Sequence, residues 1–319
     1  MTSLSASRCS SCGSNRTKQL HLRDNLFYNV CISCRHCEKG MVKDSSIEAA
    51  FEEAQENYFG EDSAIFQVTL SPFEAEVLRK RTNVLRTYLP TKGTILEVGP
   101  GGGAVLGWLI AQGHTPTAVE HSPSLSKHLA THYDITVKSG EFEALDLGKD
   151  IFDAFCSFHV IEHVRDPLAH LQNAFDIVRP GGMAFVATPN ADSWEQRIPG
   201  NLSPNYDSAH LRVFSQASLY KLADEVGWQI EQTKTPEFTM GWLRVLSKAV
   251  RRFKGEHEES TAGKYAGGAP GKTRILFRTA HILSWPIRAL QASLGGGNEL
   301  FFVLRKPHVT STETRGTDV

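Results

Sequence analysis

Neither sign of charge prevails in this sequence of 319 residues: 34 Lys and Arg stand against 35 Asp and Glu, and the formal net charge is -1. Such a balance gives no overall field to draw in nucleic acid and leaves only a local patch as an electrostatic route to it. Long hydrophobic runs are missing too, so no stretch reads as a membrane span. The opening residues, "MTSLSASRCSSCGS", have no apolar core of the kind a secretory signal requires, which predicts a cytoplasmic protein. Cysteine is scarce beyond the first 37 residues, where Cys156 stands alone; the other five cluster ahead of it. In a reducing compartment such clustering points to metal thiolates before disulfides. What is present is a hydrophobic share of 40%, enough for a sizeable core, in a chain long enough for two domains or for one domain with appendages.

The clustered cysteines have a spacing with chemical meaning. "CSSC" supplies Cys9 and Cys12, "CISC" supplies Cys31 and Cys34, and the eighteen residues between the pairs suit a short hairpin. Each pair forms a knuckle aiming two thiolates at one tetrahedral Zn²⁺, which makes residues 1–45 a zinc ribbon with a closed, structural site. So short a segment has too little core to fold unaided, and the metal supplies much of its folding free energy. His36 and Cys37 leave an ambiguity, because "CISCRHC" offers Cys37 as a replacement for Cys34.

Residues 46–90 carry two stretches of helical period, "SIEAAFEEAQENYF" and "SPFEAEVLRKRTNVLRTYL", which join the ribbon to a larger domain or cap a pocket. From Thr91 the pattern becomes strand then helix, repeated: "GTILEVG", "AVLGWLIAQG", "PTAVEHS", "SPSLSKHLATHY", "ITVKSG", "FDAFCSFHV", "PLAHLQNAFDIV", a turn at "RPGG", and "MAFVATPN". Strands separated by helices of this length imply parallel βαβ units, a doubly wound α/β fold over residues 91–249, and ligands at the carboxyl ends of the strands.

Gly99, Gly101 and Gly103 follow the first of these strands, where a sharp turn lets bare backbone approach a ligand. A glycine loop alone would suit a dinucleotide. Here Glu97 precedes it by two residues, and Glu120 closes the second strand. The second carboxylate is placed for ribose hydroxyls, whereas the first would repel a pyrophosphate and favour a cationic ligand with a free ammonium group. S-adenosylmethionine meets that description.

The ordered set "LEVGPGGG", "VEHS", "FDAFCSFHVIEHVRDP", "VRPGG" and "TPN" resembles the class I S-adenosylmethionine-dependent methyltransferases over roughly residues 70–235. Within them it is similar to the branch related to ubiquinone-biosynthesis O-methyltransferases, especially members with an N-terminal zinc ribbon. The resemblance implies a Rossmann-like fold with a seven-stranded, mostly parallel sheet whose last strand, "NELFFVLRK", is antiparallel and follows "GWQIEQTKTPEF". It implies that Glu97, Gly99, Gly101 and Gly103 line the methionine portion, that Glu120 holds the ribose, and that Glu141 and Phe142 lie near the adenine. His121 borders the adenosine pocket, and His159 also touches the cofactor.

In "SFHVIEHVRDP", His159, Glu162 and His163 share one face if the turn is helical. His163 or His159 is a candidate general base for an acceptor hydroxyl; the trio is also a candidate divalent-cation site, and loop capping is the third reading. The ubiquinone branch carries a glutamate where this chain has His159, which weakens the case for a hard cation. His210, ahead of an "FS" helix start, is a further catalytic or substrate-binding candidate. No "NPPY"-like element follows the fourth strand, which disfavours exocyclic amines of adenine and glutamine side chains as acceptors. The favoured partner is a small-molecule acceptor, a metabolite, sugar or glycan-related compound methylated on oxygen. The alternatives are a zinc-ribbon RNA methyltransferase, disfavoured by the neutral charge balance, and a noncatalytic cofactor-binding module. Residues 250–275 read as a flexible insertion, 276–307 as a C-terminal helix and final strand, and 308–319 as a disordered tail. The helix, "RILFRTAHILSWPIRALQASLGGG", is amphipathic and is expected either to pack in the core or to make weak membrane-surface contact. Nothing in the sequence fixes the oligomeric state.

Overall fold

The computed structural model describes residues 8–23, 26–40, 70–206, 209–254 and 271–308. The expected helix at 46–59 and most of the expected tail lie outside these residues. Among the described residues, no helix is long and apolar enough to cross a membrane.

The main sheet has seven strands: β4 (Thr94–Val98), β5 (Thr115–Glu120), β6 (Thr136–Ser139), β7 (Phe152–Phe158), β8 (Val178–Pro189), β10 (Gln229–Lys234) and β11 (Glu299–Arg305). Their spatial order is β10-β11-β8-β7-β4-β5-β6, with β11 antiparallel to both of its neighbours. Consecutive strand residues point to opposite faces, and here both faces are buried. Leu96, Phe155, Val186 and Phe302 face one core, while Ile95, Ala154, Phe185 and Phe301 face the other. The near-continuous apolar runs read as strands follow directly from that double burial.

Helices α2 (Ala104–Ala111), α3 (Pro123–Tyr133), α4 (Pro167–Ile177) and α6 (Gln216–Val226) fall close to their expected positions. The helix α1 (Pro72–Tyr88) begins with a capping box: Glu74 N–H donates to Ser71 Oγ at 3.3 Å and Ser71 N–H donates to Glu74 Oε2 at 2.7 Å. Such a cap contributes about 1 kcal/mol. The helix buries Val84 and Leu85 on the sheet, so it is part of the main domain and not merely a connector.

Two expectations need correction. "RPGG" is not a turn ahead of a strand; it lies inside β8, where the five-residue step from Val178 to Met183 spans the two-residue step from Phe152 to Ala154 on β7. Gly182 makes that bulge feasible, since a Cβ there would lie 2.8 Å from the Asp153 carbonyl oxygen. The insertion expected at 250–275 is helical at both ends, because α7 (Gly241–Phe253) runs past its start and α8 (Gly271–Ser293) begins before its end; residues 255–270 lie outside the described residues. Trp242, Leu246, Val250 and Phe253 keep a helical period across that boundary, which explains why α7 continues.

The insertion is anchored by buried carboxyls. Gln291 Nε2–H and Asn298 N–H donate to Glu237 Oε2 at 2.8 and 2.9 Å, and the Glu195 carboxyl, on α5 (Trp194–Arg197), meets the Glu237 carboxyl. Burial and the neighbouring Glu195 carboxyl push Glu237 up to about 10. The folded chain therefore holds a proton that the unfolded chain has released between the ordinary carboxylate range and about 10, so stability falls as pH rises through that window. Glu237→Gln should remove that loss and raise Tm by about 2–4 °C in mildly alkaline buffer, with no gain near the ordinary carboxylate pKa. Calorimetric scans at both pH values check this.

A separate four-stranded sheet carries the cysteines. Its strands β1 (Thr17–Arg23), β2 (Leu26–Cys31) and β3 (Cys37–Lys39) form an antiparallel meander. The fourth strand, β9 (Arg212–Val213), comes from the main domain and pairs with β3. The ribbon is thus built into the domain's surface.

Candidate active site

The first half of the site lies at the carboxyl ends of β4 and β5, which pair in parallel with Val98 opposite Val119. Gly99, Gly101 and Gly103 all take left-handed backbone, with φ of 61°, 56° and 76°. At Gly99 an added Cβ would lie 2.7 Å from Val160 Cγ2, so the turn needs glycine on both counts. Glu97 is 3% exposed beneath this loop, and its Oε2 has no hydrogen-bond partner. Burial raises the carboxyl to about 8, partly offset by the Arg81 guanidinium. One strand away, Glu120 is also 3% exposed and accepts from Ser122 N–H at 2.9 Å. An orphaned buried carboxyl oxygen under a bare-backbone turn, with a second carboxylate beside it, is a donor set suited to an ammonium and a ribose.

The other cofactor candidates are dispersed. His121 and Glu141 are exposed at the ends of β5 and of the loop after β6. Phe142 is buried, its ring packing on Phe155 and His170 at centroid separations of 5.4 and 5.3 Å.

The second half follows β7. His159 takes a left-handed conformation at φ 58°, strained for a side chain of this kind by about 1 kcal/mol, and its N–H donates to Ala187 O at 2.8 Å. Both ring nitrogens donate to carboxylates: Nδ1 to Glu162 Oε1 at 2.9 Å and Nε2 to Glu299 Oε2 at 2.7 Å. The two carboxylates raise the imidazolium pKa to about 9, although the side chain is 41% exposed. In that state His159 has no lone pair to receive a proton. Arg81 Nη2 donates to the same Glu299 oxygen at 3.0 Å, and Thr188 Oγ1 donates to Glu162 Oε2 at 3.0 Å. Two cations thus neutralise two buried carboxylates, and His159 holds Glu162 down to about 2 against burial.

Arg81, Thr188 and Glu299 were not singled out from the sequence. Glu299 was the one with a local signal, as a charged residue opening an otherwise apolar strand; Arg81 looked like one of several cations on a helix.

His163 and His210 meet edge to face, with ring centroids 4.9 Å apart. His163 Nδ1–H donates to Ala209 O at 2.9 Å and His210 Nδ1–H donates to Asn205 O at 2.8 Å, which fixes each ring's tautomer and directs Nε2 as the acceptor. Glu162, His163 and His210 offer ligand atoms within 4.8 Å of one another. The structure therefore groups His210 with Glu162 and His163, while His159 bonds Glu162 Oε1 outside that group.

A Ser-His-Glu chain also occurs: Ser157 Oγ lies 3.0 Å from His170 Nε2, and His170 Nδ1–H donates to Glu143 Oε1 at 2.6 Å. Ser157 and His170 are both 0% exposed, so no substrate carbonyl reaches the hydroxyl and the chain ties α4 to the sheet.

In the ribbon, Cys9, Cys12, Cys31 and Cys34 bring their sulfurs within 4.8 Å of one another. Cys9 and Cys34 are 3.7 Å apart, and Cys12 and Cys31 3.6 Å. A tetrahedral ion with Zn–S bonds of about 2.3 Å needs sulfurs about 3.8 Å apart, so the set fits zinc. Cys37 points elsewhere: its Sγ donates to Arg35 O at 3.4 Å and lies 3.7 Å from Tyr206 Oη. Burial drives its thiol up to about 12, which suits a core residue and not a ligand. The ribbon also touches the histidines, because Tyr28 Oη–H donates to His210 O at 2.6 Å and Leu211 and Arg212 N–H donate to Glu162 O at 2.9 and 3.2 Å.

The methyltransferase domain profile matches residues 72–233, just over half of the chain. A probable S-adenosylmethionine-dependent methyltransferase of Mycolicibacterium smegmatis is 26% identical over 140 residues, 44% of this chain and 53% of that protein. A ubiquinone biosynthesis O-methyltransferase of Caulobacter vibrioides is 36% identical over 103 residues, 30% of this chain and 41% of that one. The chain spans about half the length of the curated relatives it matches. Among solved structures, a [4+2]-cyclase named SpnF superposes with TM-score 0.51 at 13% identity, covering 82% of this chain and 94% of that chain. A putative sarcosine dimethylglycine methyltransferase from Galdieria sulphuraria gives TM-score 0.50 at 14% identity, covering 83% and 99%. These two share the fold, and a fold alone hosts many chemistries.

Proposed function

We propose that this chain, which belongs to the methyltransferase domain family, binds S-adenosylmethionine on the β4 and β5 ends and methylates a hydroxyl of a small-molecule acceptor. The observation that carries the reading is Glu97, a buried carboxyl with an orphaned oxygen under a left-handed glycine turn and one strand from Glu120. Glu97 takes the ligand's ammonium group, the backbone at Gly99 and Gly101 takes its amino-acid portion, and Glu120 takes the ribose. Glu141, His121 and Phe142 complete the adenosine side.

S-adenosylmethionine, when bound, supplies a methyl group already activated on a sulfonium. What remains for the protein is to hold the acceptor and to remove its proton. We assign proton removal to His163, whose acceptor nitrogen in the neutral ring is Nε2 because Nδ1–H is donated to Ala209 O. His210 orients the acceptor beside it. His159 stays cationic, and together with Arg81 it keeps Glu162 and Glu299 ionised and in place. Oxygen as the acceptor atom draws support from the relatives named as O-methyltransferases.

The test is incubation with S-adenosylmethionine labelled on its methyl group and a panel of phenols, sugars and other small hydroxylated compounds. Label in an ether-linked methyl group is expected. Label in RNA, or in amines only, would overturn the acceptor assignment.

Zinc in the ribbon belongs to the same reading. Cys31→Ser should reduce zinc from one equivalent per chain to well below it, because three thiolates bind more weakly than four. Through Tyr28 and β9 the loss should also disturb the His210 loop. Elemental analysis together with hydrogen exchange over residues 209–213 checks both parts.

A further inference from the structure

The insertion between β10 and β11 has its polarity turned inside out. On α7 the exposed stripe is Trp242, Leu243, Leu246, Val250 and Phe253, with Leu246 60% and Phe253 94% exposed. Lys248 on the same helix turns toward the protein, its Nζ donating to Ser203 O at 2.9 Å and to Tyr206 O at 3.3 Å, while Arg252 and Lys254 stay exposed. On α8, Ile282, Leu283, Trp285 and Ile287 are 59–76% exposed, while Arg288 is 6% exposed and bonded to Glu76 at 2.9 Å, and Gln291 is 1% exposed. Trp242 Nε1–H donates to Gln291 Oε1 at 3.0 Å, which links the two helices. Twelve of the sixteen large apolar side chains exposed among the described residues lie on these helices or on Leu294 just after them. A helix that only covered a core would bury these side chains, and scattered exposure would not gather them on two adjoining helices.

Charge selects the occupant. Residues 241–254 contain five Lys or Arg and residues 271–294 contain four, with no Asp or Glu in either, in a chain whose net charge is -1. A second copy would bring the same cations against these, which disfavours pairing of the two faces. Tryptophan on each stripe, at Trp242 and Trp285, suits a boundary between hydrocarbon and headgroups. We propose that α7 and α8 dock the protein on the surface of an anionic lipid bilayer, lying in the interface with their apolar stripes among the acyl chains and the exposed Arg252, Lys254 and Arg278 among the headgroups. This inference does not depend on the methyl-transfer reading.

The test uses the full chain with vesicles of phosphatidylcholine, alone or mixed with phosphatidylglycerol. Co-sedimentation with the mixed vesicles is expected to exceed that with phosphatidylcholine alone by about tenfold or more and to fall as salt is raised, with tryptophan emission moving to the blue. Leu246→Glu with Leu283→Glu should lose this binding by a similar factor while Tm is unchanged, since both side chains are exposed. Phe253→Ser provides an independent, milder loss should the double variant fail to fold. Three outcomes would overturn the proposal: no preference for phosphatidylglycerol, undiminished binding by folded variants, or a lipid-free dimer or an RNA oligonucleotide occupying the face while vesicles do not.

Discussion

His163→Ala should lower turnover by about 10²–10⁴-fold, the usual contribution of a positioned general base, and leave binding of S-adenosylhomocysteine unchanged. The expectation rests on tautomer control: Nδ1–H is held by Ala209 O at 2.9 Å, so Nε2 is the acceptor of the neutral ring, which packs on His210. The ring's hydrogen bond also ties down the loop before β9, and a purely structural role would likewise reduce activity. Added imidazole distinguishes the two, since it can restore proton transfer to a cavity left by the ring but cannot rebuild a displaced loop. Rescue of kcat by imidazole, rising with pH as the free base forms, is the expected result. A variant whose loss appears in KM alone, or that imidazole does not rescue, contradicts the assignment. His159→Ala should behave differently: it removes the cation between Glu162 and Glu299, leaving two buried carboxylates held only by Arg81 and Thr188, and should reduce stability as well as activity.

Glu97→Gln should weaken S-adenosylhomocysteine binding on the order of 10²-fold, about 3 kcal/mol, because a buried ammonium would lose its charged partner. The pH dependence gives a sharper signature. With its carboxyl raised to about 8 by burial, Glu97 is protonated in the free protein at neutral pH, and the ligand's ammonium must drive that proton off. Affinity should therefore climb as pH rises toward about 8, by up to about tenfold per unit, and the variant should lack this slope. Stability of the ligand-free protein runs the opposite way. The folded state keeps a proton that the unfolded state has lost between the ordinary carboxylate range and about 8, so unfolding becomes easier as pH rises through that interval. Glu97→Gln should flatten this dependence too. Titrations at several pH values, paired with melting curves of the ligand-free proteins, measure both effects. A wild-type affinity independent of pH contradicts the role given to Glu97.

Much of this was legible in the sequence because it follows from local chemistry. Double-sided burial writes strands as apolar runs, and the glycine turn between Glu97 and the start of α2 is a matter of a few adjacent residues. The four cysteines that cluster were the four with paired spacing. Other features depend on distant segments meeting. The carboxylate that His159 binds on β11, and the groups on α1 and β8 that hold its two carboxylate partners, are far apart in the chain, so no window of sequence contains Arg81, Thr188 and Glu299 together. His210 joins Glu162 and His163 only because β9 completes the ribbon's sheet and its flanking amides bind the Glu162 carbonyl. "RPGG" misled for a related reason: turn residues can equally form a bulge inside a strand when the neighbouring strand requires it. On α8, periodicity revealed an amphipathic helix, but which side faces outward was set by Glu76 and Glu237 buried beneath it, over 200 and about 50 residues away from Arg288.

The most direct check on the account is isothermal titration of the unmodified protein with S-adenosylhomocysteine, and in parallel with NAD. One equivalent of S-adenosylhomocysteine should bind, with an enthalpy at neutral pH that varies with the buffer's own ionisation heat because Glu97 gives up a proton, and NAD should give no binding. A protein that took up NAD tightly and showed no heat with S-adenosylhomocysteine would contradict it.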